Sequence, residues 1–230
     1  MNILSFNIGG KFFGLISLIL LLIACGHQTD QSEISSKTLK HQQQFNQWQK
    51  TQDPVLLQQY QNMINENLKH KLSLYELTYT AHHLPKNCEI FRFAIPAEKE
   101  WKRIIPSLQL IEKLQEVGIF KQFQIISTYR SPQLNSCVGG AKKSQHLNNF
   151  AVDFKVLDEH GKAYSDYKSI EHELCLFWQE YGAEYKLGLG VYPSHSYHID
   201  TVAYRTWGGD YRTQSSPCYQ MKVSEMQNKS

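Results

Sequence analysis

The residues best equipped for chemistry lie in the second half of the chain. They are Arg130 in "STYRS", Ser144, Gln145, His146 and Asp153 in "SQHLNNFAVDF", and His195 and His198 in "HSYHID". Two imidazole nitrogens and one carboxylate oxygen form a ligand set suited to zinc, with a fourth position left for water. Zinc held in this way brings its water to a pKa of about 7 and polarises a carbonyl, which is the chemistry of amide hydrolysis. A single His–Asp pair carries little weight. The reading rests on the further histidines and the arginine that gather at strand ends.

Those ends follow from the hydrophobic pattern. "FQIIST" (123–128) alternates and is rich in β-branched residues, so it predicts a strand. "AVDFKV" (151–156), "GLGVY" (188–192) and "YHIDTV" (197–202) predict three more. Helical spacing runs over 97–117, ending at Gly118 with a late start or kink at Pro106, and again over 167–182. Arg130 then falls just past the first strand, His146 ahead of the second, Asp153 inside it, and His195 and His198 around the start of the last. The expected fold class is α+β: a small, mainly antiparallel sheet with helices packed on it and the zinc site at strand ends. A glutamine-rich segment, 41–71, has helical spacing interrupted near Pro54 and shows no chemistry. "EHELC" is not a HExxH site, since Leu176 stands four residues after His172. "GLG" is not a dinucleotide fingerprint. His82 and His83 read as structural.

Taken together, "STYRSPQLNSCVGGAKKSQHLNNFAVDF", "GLGVYPSHSYHIDT" and "RTWGGD" resemble the zinc D-Ala-D-Ala peptidases, the M15 family of bacterial cell-wall peptidases. The resemblance covers roughly 72–212. It implies one zinc on His146, Asp153 and His198, with Arg130 binding substrate near the scissile carbonyl and Ser144 and Gln145 lining the cleft. The implied substrates are peptidoglycan peptide stems, cut by a D,D-carboxypeptidase or a murein endopeptidase. A peptidoglycan-binding lipoprotein that keeps the fold without strong catalysis is the alternative. Two positions depart from the family pattern. Asn149 replaces a glycine, and asparagine tolerates a left-handed backbone better than most residues. His195 stands three residues before the last ligand, where several members carry an acidic base. An imidazole titrates near neutrality, so His195 is expected to serve as the general base.

The rest of the chain supplies an address. Lys11 precedes "FFGLISLILLLIA", 13 uncharged residues, too short to span a bilayer but suited to a signal peptide. "LIAC" then resembles a lipobox, which implies cleavage after residue 24 and lipidation of Cys25. Gly26 in place of an aspartate gives no inner-membrane retention signal, so an outer-membrane lipoprotein facing the periplasm is expected. Residues 25–40 read as a polar tether, 72–220 as the zinc peptidase domain and 221–230 as a polar tail. Cys88, Cys137, Cys175 and Cys218 remain, an even count that in an exported protein predicts two disulfides in one of three pairings. A net charge of +3 and 41% hydrophobic residues point to neither disorder nor a nucleic-acid partner.

Overall fold

Proline and capping residues set the helical boundaries of this chain. The computed structural model describes residues 28–227; the signal segment and Cys25 lie outside the described residues. Helix α1 (Gln28–Gln49) runs through most of the segment expected as a tether. A boundary at Gln43/Gln44 separates a first unit from a compact body that carries everything described below. Asp53 caps α2 (Pro54–Asn65), its carboxylate accepting from the Val55 and Leu56 amides, and Pro54 occupies the first turn, where its missing N–H costs nothing. The expected break near Pro54 is therefore a helix start. Ser73 and Glu76 form a capping box on the short α3 (Leu74–Thr78).

The helix expected over 97–117 is divided. Glu98–Ile104 is 3-10, and α4 (Ile105–Glu116) begins just before Pro106, which sits in its first turn. Gly118 then takes a φ of +85° to end it. Helices α5 (Pro132–Cys137), α6 (Tyr167–Tyr181) and α7 (Pro217–Gln227) complete the set, and α7 occupies much of the expected polar tail.

Five strands form one sheet: β1 (Gln122–Ser127), β2 (Ala151–Leu157), β3 (Gly188–Val191), β4 (Tyr197–Asp200) and β5 (Arg205–Trp207). Their order is β1-β2-β4-β3-β5, antiparallel throughout except for the parallel β3–β5 pair. The fold is α+β, as the pattern predicts. The fifth strand is not foreseen by sequence, because three residues are too few to show alternation.

Strand alternation divides the sheet into two faces. Val152, Phe154, Val156, Leu189, Val191, Tyr197 and Ile199 are buried in one continuous core with α4 and α6 residues such as Ile111, Leu114, Ile170 and Leu174. The opposite face holds the polar row described next. The disulfides are Cys88–Cys137 and Cys175–Cys218. The first joins α5 to the 3-10 turn Lys86–Phe91 within a small satellite core of Leu84 and Leu134. The second joins α6 to α7.

Candidate active site

Pairing across the sheet places Ser127 opposite Asp153, Asp153 opposite His198, His198 opposite Gly190, and Gly190 opposite Trp207. One row perpendicular to the strands thus carries two of the expected ligands side by side. A register irregularity between Ile125 and Ser127 brings β1 into line with Asp153.

His146 reaches this row from a loop. The 3-10 turn Gln145–Asn148 is closed by Asn149 at φ 57°, ψ 35°, the left-handed conformation in which asparagine stands in for glycine. The Asn149 side-chain Nδ2 donates to the Glu100 and Trp101 carbonyls, and the Arg130 backbone amide donates to the His146 carbonyl at 3.1 Å. The loop is held from both sides.

His146 Nε2, Asp153 Oδ1 and His198 Nδ1 converge in a triangle with sides of 3.0, 2.9 and 3.1 Å. Ligand atoms at about 2.0–2.1 Å from a tetrahedral zinc lie roughly 3.3 Å apart, so the triangle is close to the size such an ion requires. The second nitrogen of each ring is engaged. His146 Nδ1 donates to the Thr128 carbonyl, and His198 Nε2 donates to Asp200 Oδ2 at 3.1 Å. Asp200 is itself held by Arg205 at 2.6 Å. Each bond fixes a tautomer and turns the remaining lone pair inward, which is how metal-ligating histidines are prepared. Three electron pairs meeting in a buried space need a cation between them. The residues fit zinc.

The electrostatics agree. Burial pushes the His146 pKa down to about 4, with the Arg130 charge acting in the same direction, so this ring is neutral as a ligand must be. Burial would raise the Asp153 pKa, but His146 and Arg130 outweigh it and hold the carboxyl well below the usual range. Burial also disfavours a charged His198, yet the hydrogen bonds and charges of Asp153 and Asp200 prevail and raise its pKa. Of the two rings, His198 is therefore the one whose protonated form is favoured.

These groups open onto a cavity of about 450 Å³. Ser144, Gln145 and Arg130 line it. Arg130 is buried, with Nε on Ser127 Oγ at 3.1 Å and Nη2 on both Asp153 Oδ2 and His82 Nε2. Its first task is to hold the ligand carboxylate. Nη1 donates to no other group among the described residues.

Two expectations about histidines are corrected. His82 is no bystander: it lines the cavity, 3.3 Å from Asp153 Oδ2 and 2.9 Å from Arg130 Nη2. Its segment runs beside β1, the Ala81 amide donating to the Ile126 carbonyl at 2.8 Å, and nothing in the local sequence signals that neighbour. His195 is the reverse case. Its ring stacks on Tyr167 with centroids 3.7 Å apart, in a separate small pocket with Val156, Ile170 and Tyr197. That is the apolar side of the sheet. The structure does not bring His195 to the ligands, because the turn before β4 aims its side chain the other way. Asp200 went unnoticed in the sequence, although its i, i+2 spacing from His198 puts both on one strand face.

The α+β sheet thus bears a buried His146–Asp153–His198 group over an open cleft, a group able to hold one metal ion. Residues 75–175 match the sequence model of the family described as peptidase M15, which supports a domain of that family over this stretch. The match takes in His82, Arg130, His146 and Asp153 but ends before His198, whose place as third ligand comes from the geometry. No curated protein matches this chain.

Proposed function

We propose that this protein is a zinc-dependent peptidoglycan peptidase, a D,D-carboxypeptidase or murein endopeptidase acting on the amide bonds of cell-wall peptide stems. The convergence of His146, Asp153 and His198 within 4.8 Å of one another, beneath a cleft in an M15 family domain, carries the reading. Zinc, when bound there, supplies an acidified water and an electrophile for the carbonyl. The chain's own residues do the rest. His146 and His198 present fixed lone pairs, and Asp200 with Arg205 keeps His198 in register. Arg130 fixes the Asp153 carboxylate through Nη2 and offers Nη1 to an oxygen of the substrate, where a planar cation stabilises developing negative charge. Ser144 and Gln145 form part of the cleft wall beside it.

The second reading, a wall-binding lipoprotein of weak activity, draws on one observation. Among the described residues, no aspartate or glutamate besides Asp153 lines the cavity, so the acidic base common in such sites is missing. Digestion of purified peptidoglycan, with and without chelator, followed by mass spectrometry of the products distinguishes the readings. Metal-dependent loss of a terminal residue identifies a carboxypeptidase, and cut cross-links identify an endopeptidase. Binding without any product supports the alternative.

The same proposal places the protein at the outer membrane, facing the periplasm and anchored through Cys25. Wild type should incorporate a fatty-acid analogue and Cys25→Ser should not; equal labelling of the two removes the anchor from the proposal.

A further inference from the structure

The connection between β3 and β4 is a three-residue hairpin loop, closed where the Tyr192 amide donates to the Ser196 carbonyl at 3.1 Å. Inside it the His195 amide donates to the Tyr192 carbonyl at 3.0 Å, with Pro193 at the turn position that favours proline. Such loops finish on a left-handed residue, usually glycine. Here that residue is His195, at φ 55°.

The loop is also a wall of the cleft, since Tyr192, Pro193, Ser194 and Ser196 all face the cavity. On the cavity side it packs against the end of β5 and the segment after it. A Cβ on Gly209 would lie 2.8 Å from Pro193 Cδ, and Trp207 Nε1 donates to the Tyr192 hydroxyl at 3.1 Å. On the other side it meets α6 through the His195–Tyr167 stack, with Ile170 in the same small pocket and the Glu171 carboxylate close enough to feel the His195 ring. The position therefore needs a side chain that accepts the left-handed region and also carries a flat ring. Asparagine, aspartate and histidine are the residues enriched in that region, and histidine alone among them has a ring.

We infer that His195 is a positioning residue, which pins the Tyr192–Ser196 turn to Tyr167 and so fixes one wall of the substrate cleft. This rests on the reading of the cleft as the peptidase's substrate site. The pin acts on substrate fit rather than on the reacting atoms.

Four variants of the full chain test it: His195→Asn, which keeps the left-handed preference and loses the ring, Tyr167→Leu, Tyr167→Phe, and the first two combined. Hydrogen exchange is read on the metal-free protein at the amides of Tyr192 and of position 195. KM, kcat and their pH profiles are read with zinc on peptidoglycan-derived stem peptides. His195→Asn and Tyr167→Leu should each speed exchange at the turn and raise KM by roughly three- to tenfold, the scale of one lost aromatic pair, with kcat and the pH profile kept. Tyr167→Phe should match wild type, and the double variant should add nothing beyond either single change. Unchanged exchange in His195→Asn overturns the inference. So does a fall in kcat with KM constant and loss of one limb of the pH profile, which would make His195 a proton carrier. Faster exchange in a protein whose wild type cuts no stem peptide leaves the pin in place and removes the peptidase reading.

Discussion

Asp153 and His198 stand directly opposite one another on β2 and β4, with Asp153 Oδ1 2.9 Å from His198 Nδ1. The candidate metal centre is thus built into strand pairing. Only His146 depends on a loop, and that loop is tied to the Arg130 amide.

Removal of any one ligand should nearly abolish zinc uptake. His146→Ala, Asp153→Asn and His198→Ala are each expected to retain little zinc by elemental analysis, because three protein contacts are the usual minimum for such a site. Asp200→Asn should weaken zinc binding by about 10–100-fold without abolishing it, the usual effect of losing an orienting partner. Full occupancy in His146→Ala would remove the ligand assignment.

Zinc binding should release one proton, not two, over the mildly acidic range. The His198 pKa is raised above its ordinary 6.5, so below that value a proton occupies the position the ion needs. His146 stays neutral down to about pH 4, and Asp153 stays ionised. Affinity measured by titration with a zinc indicator should therefore fall about tenfold per pH unit between roughly pH 6 and 4.5. The metal-free protein responds differently. The raised His198 pKa stabilises it below pH 6.5 and that contribution fades as pH rises through the folded value, while the lowered pKa values of Asp153 and Asp200 stabilise it at neutral pH and are lost in strong acid.

Arg130→Lys is expected to keep the fold and lose most of the turnover. A lysine ammonium cannot hold Asp153 and present a second planar donor at once. Near-normal kcat/KM would return Arg130 to a purely structural role.

His82→Ala should lower turnover roughly tenfold or more, because the guanidinium and carboxylate it touches lose a shared partner. His82→Gln, which can still hydrogen-bond, should recover part of it. Equal activity in wild type and His82→Ala would show that its position in the cavity has no consequence.

The two disulfides should separate by function. Cys175→Ser with Cys218→Ser is expected to cost about 2–4 kcal/mol of stability in denaturant titration while leaving kinetics alone. Cys88→Ser with Cys137→Ser should cost a similar amount and also raise KM, since α5 leads directly into the cavity wall at Val138, Gly140 and Ala141. Identical kinetics in both pairs would refute the distinction.

The strands that carry Asp153 and His198 are legible in sequence because alternation and β-branched runs mark them, and His146, Asp153 and His198 all sit within segments that resemble a known family. Fold class follows from the same strand and helix patterns, and Asn149's left-handed turn from the glycine that the resembled family carries there. What sequence did not reveal depends on contacts between distant segments or on side-chain direction. His82 arrives through a backbone hydrogen bond to β1, which no local pattern encodes. His195 is near His198 along the chain but not in space, because the turn before β4 lies between them. The pairing of the four cysteines is likewise a long-range fact, the partners standing 49 and 43 positions apart. Strand β5 was invisible for its brevity.

Gly190 has no side chain and does no chemistry, yet a Cβ there would lie 2.8 Å from the Trp207 indole, whose ring meets His198 edge-on at 5.1 Å between centroids. A saturation scan of this protein should therefore show position 190 as intolerant as a ligand. Even alanine would push the indole off the imidazole, and the loss would register as a catalytic defect at a residue that touches neither metal nor substrate.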